Sequence, residues 1–196
     1  MSGRTFALLA GAATSCAGLL QLVGDTVYAI DRVYPGDPGF AFANLVAAVW
    51  HVLLLIGVLA LPSVGGERFG RLGRAGTIVA AIGMVTLISA EIATQVAGAI
   101  PVPLIAASAP LTGIGLVLAG VALLRDPRRR FLAVAALATG VYALAVIVPT
   151  SVGPGGANYF VIAGWGALWL LLGIGIIGSA LRDLPVTASA RRVSPA

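Results

Sequence analysis

Three side chains able to give or take a proton lie in or beside long apolar runs: Glu91, His51 and Asp25. Glu91 is the one acid within Ala75–Val96, a run long enough at ~1.5 Å per residue to cross a bilayer core of about 30 Å. A carboxylate inside a spanning helix costs roughly 2.5–3.5 kcal/mol on insertion scales, so it normally faces the protein interior and has a partner. His51 lies ten residues into a second run that begins near Ala41. Asp25 follows Gln21 by four residues and so shares its helical face. Two carboxyl groups and an imidazole suit proton transfer or the hydrogen bonding of a ligand. The candidate catalytic residues are therefore Glu91, His51 and Asp25, and the candidate ligand-binding set is Gln21, Asn44, Trp50, His51, Glu91, Gln95 and Trp165. Thr94 and Gln95 share a face with Glu91 at spacings of three and four. Each has a plainer reading. Glu91 bonded to Gln21 or His51 would fix helix packing, and Trp50, Tyr28 and Tyr159 would join an interfacial aromatic belt.

The elements that must position these residues are apolar helices. Hydrophobic residues make up 59% of the 196-residue chain and charged ones 10%, against about 45–50% and 25% in soluble domains. The single Cys16 excludes an internal disulfide and a cysteine-based metal cluster. The single His51 excludes bis-histidine haem ligation within one chain. No cofactor, metal site or nucleic-acid partner is expected; the net charge of +5 reflects topology. All twelve basic residues are Arg, a bias that suggests a GC-rich bacterial genome.

Six spans are expected. The first is the uncharged run Thr5–Gly24, for which a cleaved signal peptide is the rival reading. Within it Ala7, Gly11 and Ser15 recur at a spacing of four, which suits close helix packing. A polar connection from Asp25 to Phe40 contains Tyr34–Gly39, rich in proline and glycine. The second span runs from about Ala41 to Leu61 and stops at Pro62. The third is Ala75–Val96, and the fourth is roughly Ala106–Leu124 with Pro110 near its first turn. Phe131–Val148 and about Asn158–Leu181 complete the set, divided by the turn Ser151–Ala157. The fold class is an all-α integral membrane protein, a six-helix transmembrane bundle over residues 1–183. A polar, disordered cytoplasmic tail is expected over 184–196.

Orientation follows from arginine. The amino terminus, the loops Gly65–Arg74 and Arg125–Arg130, and the tail hold eleven of the twelve, leaving Arg32 alone on the other side. Cytoplasmic loops collect Arg and Lys, so both termini are placed inside a multi-pass protein of the cell (inner) membrane. Those arginines would also attract anionic lipid headgroups weakly. Glu91 then lies ~24 Å up its helix and His51 ~15 Å down its own. Polar groups gather in the outer half, and the inner half is almost all Leu, Ala, Val and Gly. That asymmetry predicts a pocket open to the outside rather than a through-channel. The even spans end alike and the odd spans each follow an arginine, so the chain reads as three tandem helical hairpins.

Gly-rich nucleotide loops, H-E-x-x-H and G-x-S-x-G are absent. Three functions remain. The first is binding of a small hydrophobic ligand, a lipid or a partner helix in the outer half. The second is a substrate-binding or transport subunit working with a partner membrane subunit. In size and topology the chain is similar to the substrate-binding subunits of energy-coupling-factor vitamin transporters. The third is an integral-membrane enzyme acting on an isoprenoid or lipid, with Glu91 as acid and His51 or Asp25 assisting.

Overall fold

The computed structural model describes residues 1–31, 37–98, 101–151 and 158–182. Six helices long and apolar enough to cross a membrane make up the described chain. They are α1 (Gly3–Asp31), α2 (Phe40–Gly65), α3 (Gly70–Ala97), α4 (Val102–Leu123), α5 and α6 (Tyr159–Arg182). Helix α5 runs through Arg130–Tyr142, a π-helical stretch Ala143–Ile147 and a last turn Val148–Ser151. The π stretch precedes Pro149, which has no N–H to give. Val148 N–H reaches back to Ala143 O, and the Thr150 hydroxyl donates to Val146 O at 2.7 Å.

Several boundaries differ from the sequence expectation. Helix α1 continues past Gly24 to Asp31, so Asp25 and Tyr28 are helical rather than part of a loop. Helix α2 passes through Pro62 to Gly65; the neighbouring Ser63 hydroxyl donates to Ala60 O at 2.6 Å, within the turn that proline disturbs. Helix α4 begins at Val102, which leaves Pro110 in the helix interior rather than in its first turn. Most of the expected turns at Tyr34–Gly39 and Ser151–Ala157, and the whole tail 184–196, lie outside the described residues.

Each helix packs against its neighbours in sequence, and α6 closes the ring against α1. All three expected hairpin pairs touch, but the closest seams are α3 on α4 and α1 on α6. Small residues allow this approach. A Cβ on Gly18 would stand 2.4 Å from Leu170 N, and one on Gly115 would stand 2.2 Å from Ala80 N. Ala7 and Gly11 are buried, with Gly11 facing Gly173, so the small-residue stripe of the first span marks the α6 seam. Trp169, Leu54, Met84, Leu116, Leu172 and Ile176 fill the centre. Residues such as Leu9, Val52, Ile82, Val121 and Val141 remain on the outer surface, where a bilayer would cover them.

Arg68, Arg125, Arg128 and Arg182 meet at one end. Arg68 Nη1 donates to Arg125 O at 3.3 Å and Arg182 Nη1 to Arg128 O at 2.6 Å, which ties both basic loops and the end of α6 together. Phe69, between these loops and the bundle, is seated on Gly65 and Gly73.

Candidate functional site

The polar residues converge toward the opposite end, where α1, α2 and α3 meet. The extension of α1 is what makes this happen. With the helix unbroken through residue 25, Gln21 and Asp25 project one turn apart into the bundle, and both are buried. The Gln21 side chain lies beside the Asp25 carboxyl. Asp25 in turn lies within electrostatic range of His51 and Glu91.

Helix α2 supplies Trp50 and His51. Trp50 is 3% exposed, so it is a core residue and not part of an aromatic belt. Its ring lies against Gly24 of α1, where an added Cβ would come within 2.8 Å of it. Trp50 Nε1 donates to His51 Nε2 at 3.2 Å. An indole N–H can only donate, so Nε2 must accept, and the hydrogen-bond network assigns the ring hydrogen to Nδ1. That nitrogen stands 2.6 Å from Glu91 Oε1 on α3. The carboxyl oxygen lies off the N–H direction, which makes this a tight polar contact rather than an aligned hydrogen bond.

Asn44, two turns above His51, clamps the same pair of helices. Its Nδ2 donates to the backbone oxygen of Glu91 at 2.9 Å and to Gln95 Oε1 at 3.3 Å. At this end the Tyr28 and Tyr159 rings stack with centroids 5.5 Å apart, joining α1 to α6. The structure therefore brings together Gln21, Asp25, Asn44, Trp50, His51, Glu91 and Gln95. Trp165 is directed elsewhere: its Nε1 donates to Thr139 O on α5 at 3.0 Å, and its ring packs on Trp169. Thr94 gives its hydroxyl to Ala90 O within its own helix.

The cluster is closely packed, with Gln21 1%, Asp25 5%, His51 6% and Glu91 9% exposed. Its hydrogen-bonding inventory is unbalanced. Gln21 Oε1, Asp25 Oδ2 and Glu91 Oε2 are buried acceptors with no partner among the described residues. The imidazole has no spare donor to offer them, because Nδ1 faces the other Glu91 oxygen and Nε2 accepts from Trp50. Among the described residues, no three His, Cys, Asp or Glu side chains stand close enough to share a metal ion.

A second feature was not anticipated from the sequence. A cleft of about 530 Å³ opens at the arginine-bearing end between the Gly66–Arg68 and Asp126–Arg128 turns. Its signals in the sequence are the charges of the Gly65–Arg74 and Arg125–Arg130 loops, which by themselves mark only topology.

No family model, curated protein or solved structure matches the chain. Six apolar helices give it the make-up of a multi-pass membrane protein.

Proposed function

We propose that this is a multi-pass protein of a bacterial inner membrane that binds a small, hydrogen-bond-donating cation in the cluster formed by Gln21, Asp25, His51 and Glu91. One observation carries the reading: three buried acceptor oxygens, two on α1 and one on α3, face no donor among the described residues. Leaving a buried polar group unsatisfied costs about 1–3 kcal/mol, and more for a charged one. A guest bearing several N–H groups and a positive charge would satisfy the oxygens and offset the two carboxyl groups. A protonated primary amine has that chemistry, and an anion or a purely apolar ligand does not. Arginine distribution supports placing this end on the outside, with both termini in the cytoplasm. The pocket expected in the outer half is thus narrowed to a compact polar site between α1, α2 and α3, with Asn44 and Gln95 toward its mouth and the Tyr28–Tyr159 stack at the same end.

The test is a calorimetric titration of the purified full chain in detergent with methylammonium. Saturable one-to-one binding is expected. Asp25→Asn and Glu91→Gln should each weaken it by at least tenfold, in line with about 1.5–3 kcal/mol for a hydrogen bond to a charged group. Trp165→Phe, outside the cluster, should bind like wild type. Absence of saturable binding, or equal binding by all the variants, would reject the reading.

A further inference from the structure

At the arginine-bearing end the turn Glu67–Phe69 faces the turn Pro127–Arg129 across the cleft of about 530 Å³, within the 300–1,000 Å³ typical of small-ligand sites. The lining carries both signs of charge: Arg68 and Arg128 with Glu67 and Asp126. The two acids differ. Asp126 is engaged by its own turn, accepting from Arg128 N at 3.0 Å and facing Arg129 Nε at 3.6 Å. Glu67 is exposed, and no hydrogen bond or ion pair engages its side chain among the described residues.

The arginines have donors to spare. A guanidinium has five N–H groups; Arg68 uses one on Arg125 O, and the Arg128 side chain makes no bond among the described residues. Arg128 also lines a second, shallow groove of about 20 Å³ between α5 and α6, with Phe131, Leu132, Gly175, Gly178, Ser179 and Arg182 around it. A Cβ on Gly178 would meet nothing within 4 Å. Phe131 is 49% exposed on the apolar surface just below the loop. The mixed-charge cleft at the helix ends and this groove on the outside of the bundle share Arg128 in their linings.

We infer that this end binds one phospholipid whose headgroup carries a primary amine. Arg68 and Arg128 hold the phosphate through charge-assisted N–H bonds. Glu67 accepts from the ammonium group. One acyl chain lies along the groove between Phe131 and Gly178. A quaternary headgroup has no N–H for Glu67, and a free phosphate would use the arginines but leave the groove unoccupied. This site is independent of the cluster at the other end.

Native mass spectrometry of the full chain in detergent, with dioleoyl phosphatidylethanolamine, dioleoyl phosphatidylcholine and inorganic phosphate as probes, tests the assignment. Wild type should retain one phosphatidylethanolamine at least fivefold better than phosphatidylcholine, and inorganic phosphate should not displace it. Glu67→Gln should bring the two lipids to parity. Arg68→Gln combined with Arg128→Gln should lower retention of both at least tenfold, with helix content by circular dichroism unchanged. Equal retention of the two lipids by wild type would overturn the inference. So would full retention by the double arginine variant, or displacement by inorganic phosphate, which would mark a free-anion site.

Discussion

Replacing His51 by Leu removes the group that faces Glu91 and also the acceptor of the Trp50 indole N–H. The size of the loss follows from burial. The two side chains touch at 2.6 Å and are 8% and 11% exposed, so water does little to replace the lost partner. A hydrogen-bonding contact to a charged group is worth about 1.5–3 kcal/mol, and an orphaned buried donor adds roughly 1–3. The off-axis approach of the carboxyl oxygen places the first contribution at the lower end, and His51→Leu should cost about 3 kcal/mol. For a chain of this length that corresponds to a fall of about 6–12 °C in Tm, measured by thermal unfolding in detergent. Glu91→Leu added to His51→Leu removes the stranded carboxyl group as well. The double variant should therefore be more stable than the sum of the single losses by at least about 1.5 kcal/mol. A His51→Leu protein that melts within 2 °C of wild type, or strictly additive single and double effects, would show that the contact does not hold α2 to α3.

Other outcomes follow from the packing and the charge pattern. Gly115→Val forces a side chain into Ala80 backbone atoms 2.2 Å from the Cβ position and should destabilise by at least the 1–3 kcal/mol typical of overpacking. Gly178→Ala, which meets nothing within 4 Å, should match or slightly exceed wild type in Tm. Trp165→Phe removes the N–H bond to Thr139 O and should cost about 1 kcal/mol in the same assay without altering methylammonium affinity. Reporter fusions after Arg130 should read cytoplasmic and fusions near Gly155 external; the reverse pattern would invert the orientation.

The number and order of helices were legible because each span is a long apolar run set off by charge or proline. The site was legible in part. Glu91 and His51 stood out as titratable groups in apolar runs, and their pairing was one of two partners expected for the acid. What could not be read was the fate of Asp25. Charge at residue 25 ended the apolar run, yet the helix continues because a polar cluster on α2 and α3 gives that carboxyl group a buried setting. Tertiary contact overrode the composition signal. Trp50 and Trp165 show the same limit. Both could be placed on helices, but periodicity does not reveal that one rests against Gly24 beside the cluster and the other bonds a carbonyl on α5. The closure of α6 on α1 is a contact between the two ends of the chain, and only the small-residue spacing of the first span hinted at it.

The most direct test of cation binding at the α1–α2–α3 end is side-resolved thiol labelling in sealed vesicles. Asn44→Cys and Gln95→Cys, each in a Cys16→Ala background, place a thiol on either side of the Asn44–Gln95 contact. A membrane-impermeant reagent added outside right-side-out vesicles should label both, and saturating methylammonium should slow the labelling several-fold. Asp25→Asn should abolish that protection while leaving the unprotected rate unchanged. Labelling from the cytoplasmic face alone, or labelling indifferent to methylammonium, would contradict an outward-facing cation site at this cluster.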